Sequence, residues 1–120
     1  MMFRPVPGYP NYKINRAGQV FSIKRNKFVK EKPGGLKVYP RVVLYKDGEK
    51  KHFWCHRLNC EVWVGPTEGK EVHHKNGNVL DYHARNLVPL TTKQHIIANR
   101  KMRERRMRQL SKELKKDAPF

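Results

Sequence analysis

Three features of the sequence predict an α+β fold. Short apolar-alternating runs broken by turn residues fill the first half of the chain, a strand–loop–strand pattern follows around residues 71–90, and a capping signal at Thr91 opens a helix, with a basic tail that continues it or forms a second one. The expected architecture is an N-terminal antiparallel β-sheet, then a strand–loop–strand–helix unit, then a basic C-terminal helix.

The sheet is read from its punctuation. "YKINRAGQVFSIKR" holds two alternating runs divided by Ala17-Gly18, the pattern of a hairpin. Further along, Gly34-Gly35 and Asp47-Gly48 mark turns. Val42, Leu44 and Tyr39 lie between basic positions, which predicts one apolar and one cationic face. Pro40 cannot donate to a central ladder and marks an edge or a bulge. In "HRLNCEVWVG", Leu58, Val62 and Trp63 fall at helical spacing, predicting a short helix that ends near Gly65-Pro66, with Leu58 and Trp63 as core. Cys55 is expected on one face of a strand and Cys60 in helix packing. Neither has the Cys-x-x-Cys spacing of structural zinc, and with no secretion signal both should be reduced.

The second half carries the chemistry-bearing residues. "EVHH" reads as a strand ending at the Asn76-Gly77 turn, and "NLVPL" as the return strand. Thr91 followed by Gln94 forms a capping box, placing His95 in the first turn of a helix. Such a fold brings His73, at the end of the first strand, close to His95, although 22 positions separate them. Two imidazoles plus water or phosphate oxygens suit a divalent ion with open positions. His74 beside them suits a general base, since imidazole titrates near working pH. Neighbouring strand residues face opposite ways, so a kink or strand end is expected at His73-His74. His83 reads as a solvated turn residue, and His56 as a packing or hydrogen-bonding residue beneath the site. From Asn99 onward the chain holds nine Lys or Arg against three acids, with Met107, Leu110 and Leu114 as a thin apolar stripe. That stripe suits docking on its own domain or a dimer seam.

Composition limits the partners. Lys and Arg total 27 against 10 acids, a formal net charge of +17, which points to a polyanion. No run approaches the roughly 20 apolar residues of a membrane span, and "MMFRPVPGYP" lacks the apolar stretch of a signal peptide. The expectation is a cytoplasmic protein that meets nucleic acid and no membrane. Basicity alone does not name the partner's job, since a ribosomal or solubility role also accounts for the charge.

The span "VHHKNGNVLDYHARNLVPLTTKQH" resembles the HNH endonuclease motif of the His-Me finger (ββα-metal) superfamily, in the variant of phage and intron-encoded homing endonucleases. "HRL" at His56–Leu58 resembles the segment that precedes the motif. "PVPGYPNYKINRAGQVFSIKR" resembles the nuclease-associated modular domain fused ahead of it, so the likeness covers roughly residues 3–99. It implies a β-rich DNA-binding region with a short helix over 1–62, the ββα-metal finger over 63–99, and a basic helical tail over 100–120. It further implies hydrolysis of double-stranded DNA to 5′-phosphate and 3′-hydroxyl ends, by a monomer or homodimer, within the host bacterium if phage-encoded. By the same likeness His74 is the general base, and Asn86 pins the loop and orients that base. His73 and His95 are metal ligands; apart from the likeness, Asn99, one turn further along the helix, is a candidate to add a ligand directly or through water, or else a polar residue on an exposed face. Lys75, Arg85, Arg100 and Arg103 flank the expected metal and, by that position and not by the likeness, are candidate phosphate contacts. Many relatives carry Asp and Asn where this chain has His73 and His95, and Asn-Asn where it has Asp81-Tyr82. One divalent ion is implied, Mg²⁺ or Mn²⁺, with the imidazole pair tilting preference toward Mn²⁺, Co²⁺ or Ni²⁺. The competing reading is a non-catalytic, sequence-tolerant DNA-binding protein that keeps the HNH frame as architecture.

Overall fold

Two antiparallel sheets built from β1 to β7 precede the first helix in the computed structural model, which describes residues 2–34 and 37–116. β1 (Phe3–Val6), β2 (Tyr9–Asn15), β3 (Val20–Ser22) and β4 (Lys27–Phe28) form a four-stranded meander. The turn predicted at Ala17-Gly18 closes β2 onto β3, with the Asn15 N–H donating to Gln19 O at 3.1 Å and Gly18 at a left-handed φ of 87°. β5 (Lys32–Gly34), β6 (Lys37–Lys46) and β7 (Glu49–Trp54) form the second sheet. Its β6–β7 hairpin turns on Asp47-Gly48, with φ of 52° and 79° and Lys46 facing Glu49, the geometry of a type I′ turn. Pro40 lies opposite the register shift between Lys32 and Gly34 and beyond the last β7 pair, Arg41↔Trp54, so no ladder bond is lost to it. Gly35 and the Leu114 side chain lie outside the described residues.

The expected one-faced sheet needs correction. Val42 and Leu44 are buried, and so is Val43 between them, which points to the other face. β6 is the central strand, and on that second face Val43 and Tyr45 floor a cleft of about 410 Å³ whose rim includes Arg25, Lys27, Lys30 and Lys32. The cations line the edge of an apolar floor and do not form a face of their own.

α1 (Cys55–Trp63) leaves β7 with no intervening loop. Cys55 therefore opens a helix and is not a strand residue. Burial pushes its thiol up to about 12 and that of Cys60 up to about 11, so both stay protonated, and both are free. Trp63 also departs from expectation. It is half-buried, with the guanidiniums of Arg4 and Arg16 over its ring at 4.4 and 5.0 Å, two cation–π contacts in place of core packing.

α1 joins two cores. Cys55 and Leu58 belong to the large one, with Val6, Tyr12, Ile14, Val20, Val42 and Leu44. Cys60 belongs to a small one with Val72 and Leu87, and Tyr82 packs against both. Asn59, fully buried, donates its amide to Arg16 O at 3.0 Å and Tyr82 O at 2.7 Å, tying the first hairpin to the histidine-bearing loop. A division after residue 62 thus falls within a helix that serves both sides. The connection after α1 is latched down: Glu61 accepts from the N–H and hydroxyl of Thr67, both at 2.7 Å, and Arg57 donates to Thr67 O and Lys70 O. That latch delivers the chain to β8 (Glu71–His74), which pairs with β9 (Leu87–Leu90) so that His74 faces Leu87.

α2 (Thr92–Lys116) begins at the predicted capping box. The Thr91 N–H donates to Gln94 Oε1 at 2.9 Å, and the Gln94 N–H to Thr91 Oγ1 at 3.2 Å. The basic tail continues this helix. Met107 and Leu110 are exposed on it, so they do not dock on the domain.

Candidate active site

β8 sorts its side chains by pleat. Val72 and His74 turn toward α1, while Glu71 and His73 turn toward the first turn of α2. The strand ends at His74, where Gly77 N–H closes a turn on His74 O at 2.9 Å.

His73 and His95 come together as their positions predicted. Their ring centroids are 5.3 Å apart with planes at 72°. The capping box sets the start of α2, and with it the side of the helix on which His95 emerges. Burial, and then the neighbouring His95, hold the His73 imidazole below its ordinary pKa, so it is neutral at pH 7 and has a lone pair to offer. Asn99 is exposed one turn beyond His95. Among the described residues no three His, Cys, Asp or Glu side chains gather into a complete metal cage. Two imidazoles fit a divalent ion that completes its shell with water or phosphate oxygens, as a catalytic site requires.

His74 occupies the other face. Its ring packs against His56 at 5.3 Å and Tyr39 at 6.0 Å, and Tyr39 in turn lies 4.7 Å from His56. Burial lowers its pKa, helped by His73 and His95 and opposed by Asp81. It is therefore uncharged at neutral pH. Nε2 is enclosed and has no hydrogen-bond partner. His56, expected beneath the site, is pushed down to about 4 by burial, by His74 and by Arg57.

Asn86 organises the loop between the strands. Its Oδ1 accepts the Asn76 N–H at 3.1 Å; its Nδ2 donates to Asn76 Oδ1 at 3.0 Å and Asp81 O at 2.8 Å; its main-chain O accepts the Lys75 N–H at 2.8 Å. The loop is pressed onto α2 at Gly77, where a Cβ would come within 2.9 Å of Met102 Cε. Lys75, Arg85, Arg100 and Arg103 are all exposed.

Several residues here escaped the sequence reading. His83 is no free turn residue: its Nδ1 accepts the Arg85 N–H at 3.2 Å and caps a 3₁₀ turn over Ala84–Asn86. Asp81 accepts from the Asn76 amide at 2.9 Å, and Asn76 itself is half of the Asn86 network. Tyr39 joins the His74 stack. Glu71 contacts Nδ1 of His95 through its carboxylate. The parity of Glu71 with His73 on β8 was the one available signal for that contact.

A two-stranded ribbon and a helix that converge imidazoles over an Asn-pinned loop define a ββα-metal finger. No protein-family model matches the chain. It is 36% identical over 98 residues to the H-N-H endonuclease F-TflII of Escherichia phage T5, covering 79% of this chain and 50% of that protein. It is 37% identical over 101 residues to the DNA endonuclease I-HmuI of Bacillus phage SP01, covering 78% and 54%. The solved structure of the HNH homing endonuclease I-HmuI, described as showing DNA binding and cleavage, superposes with a TM-score of 0.77 at 32% identity, over 93% of this chain and 67% of that one. The chain belongs to the HNH endonuclease family. It spans about half the length of the curated relatives it matches.

Proposed function

We propose that the chain is a metal-dependent endodeoxyribonuclease of the homing type, cutting phosphodiester bonds of double-stranded DNA to 5′-phosphate and 3′-hydroxyl ends. The observation that carries this is the convergence of His73 and His95 from opposite ends of the finger, beside a neutral, enclosed His74.

His74 takes a proton from the attacking water through Nδ1, since Nε2 is enclosed. The water oxygen bonds to phosphorus, the bond to the 3′-oxygen breaks, and that oxygen is protonated from solvent. His56 and Tyr39 hold the His74 ring by packing, and Asn86 holds the loop that leaves the strand at His74. His73 and His95, with Asn99 within one helical turn, would hold one divalent ion. Bound there, the ion would stabilise charge on the phosphate and the departing oxygen. Imidazole donors favour Mn²⁺, Co²⁺ or Ni²⁺ over Mg²⁺.

The division of labour follows the chain. Residues 1–62, with the cleft rimmed by Arg25, Lys27, Lys30 and Lys32, grip the duplex; 63–99 cut; 100–120 lie along phosphates. Lys75, Arg85, Arg100 and Arg103 supply contacts near the cut. One site per chain nicks one strand as a monomer, and a homodimer through the exposed Met107 and Leu110 would cut both. Among the described residues no helix is long and apolar enough to cross a membrane, and with phage relatives the working place is the host cytoplasm.

Incubating plasmid or phage DNA with the protein and Mn²⁺ or Mg²⁺, with and without EDTA, tests the proposal. Cutting should require metal, and His74→Ala should abolish it while DNA binding persists. Equal integrity of DNA with both proteins under every metal would leave only the non-catalytic DNA-binding reading.

A further inference from the structure

We propose that Glu71 is a positioning residue for the metal site: its carboxylate holds the Nδ1 proton of His95 and so presents Nε2 of that ring as the ligand atom. This rests on the reading of His73 and His95 as metal ligands.

The local sequence builds the contact. Glu71 and His73 are two apart on β8 and share the face that α2 crosses. The capping box starts α2 at Thr92, and the His95 N–H donates to Thr91 O at 2.9 Å, so the ring leaves the helix from a fixed point over that face. There Glu71 Oε2 meets His95 Nδ1. An ionised carboxylate only accepts hydrogen bonds, so in a neutral imidazole the proton must sit on Nδ1. The lone pair is then on Nε2. One nitrogen held by the strand and the backbone held by the helix cap leave the ring little freedom to turn. The same strand that supplies one ligand, His73, thereby sets the tautomer of the other.

A stability role is the simpler alternative, and the exposures weigh against it. The Glu71 side chain is 49% exposed and that of His95 26%, and solvent-reached polar contacts of this kind add little to folding. Glu71 can therefore be replaced without unfolding the chain. A carboxylate beside a metal site can also bind the ion directly, and the test separates that case.

The experiment uses the full chain and the variants Glu71→Ala and Glu71→Gln. Long-range ¹H–¹⁵N correlation of the metal-free protein should show His95 as the Nδ1–H tautomer, changing to Nε2–H in Glu71→Ala. Titration with Co²⁺ should give one site in each protein, weakened about 10- to 100-fold in Glu71→Ala and less in Glu71→Gln, whose amide oxygen still accepts. The Co²⁺ absorption bands should keep their shape, because the ligand set is unchanged. An Nε2–H tautomer in the wild type, or unaltered Co²⁺ affinity in Glu71→Ala, overturns the proposal while leaving the metal site standing. Altered Co²⁺ bands in that variant overturn it in favour of direct ligation. Undiminished affinity in both His73→Ala and His95→Ala marks the different failure, that of the metal site itself, and the proposal falls with it.

Discussion

Asn86→Ala is the sharpest probe of how the loop is held. The buried side chain makes three hydrogen bonds, one accepted from the Asn76 N–H and two donated, to Asn76 Oδ1 and Asp81 O. At about 1 kcal/mol net apiece they bound the loss near 3 kcal/mol. Asn76 is exposed, so water replaces part of this, and about 2 kcal/mol is the expected destabilisation. In a chain of this size that lowers Tm by roughly 8 °C. Asn86→Asp should do no better. It keeps the acceptor for Asn76 N–H but sets a second oxygen against Asn76 Oδ1 and Asp81 O, where Nδ2 stood. Thermal unfolding followed by circular dichroism reads both variants, and nicking under saturating DNA reads the effect on His74. An unshifted Tm with full nicking in Asn86→Ala, or a more stable Asn86→Asp, would refute the loop-pinning role.

Three further outcomes are expected. Gly18→Ala should lose about 2–3 kcal/mol, seen as a lower urea midpoint at unchanged m; its φ is +87° and the new Cβ would meet Tyr82 Cδ2 at 2.5 Å. Neutral burial of His56 makes stability pH-dependent, because the unfolded chain binds a proton below about 6.5 that the folded chain refuses until about 4. The contribution is full above the upper value and falls away as pH drops toward the lower one, by on the order of 3 kcal/mol at most; His56→Gln should flatten that slope in denaturation midpoints taken across the window. Last, if Lys75, Arg85, Arg100 and Arg103 each meet a phosphate, log affinity should fall against log salt with a slope of roughly −3 to −4 from these four alone, and each alanine variant should reduce it by about 1. A slope near zero contradicts phosphate-driven binding.

The parts legible in the sequence were those set by local chemistry. The Thr91–Gln94 box and the Ala17-Gly18 and Asp47-Gly48 turns each specify backbone geometry within a few residues, and each is found where expected. Even the meeting of His73 and His95 follows from a local frame, a ribbon followed by a helix. What escaped depends on distant neighbours. Trp63 looks like core by helical spacing, yet Arg4 and Arg16 arrive from β1 and the β2–β3 turn to cover it. Cys55 alternates with β7 but lies where the strand gives way to α1 without a loop. Val43 is buried at the floor of a cleft that residues 25–32 wall on the far face of β6, which alternation along one strand cannot reveal. Glu71 finds His95 across 24 residues, and His83 caps its own turn with a ring nitrogen in place of the usual oxygen.

The central claim is that one divalent ion sits between the imidazoles of His73 and His95. Anomalous diffraction from a crystal of the full chain soaked in Mn²⁺ tests it directly. The account predicts a single strong peak within bonding distance of one nitrogen of each ring. A map with no peak there, or with the ion held by other side chains while those two rings stand free, would contradict it.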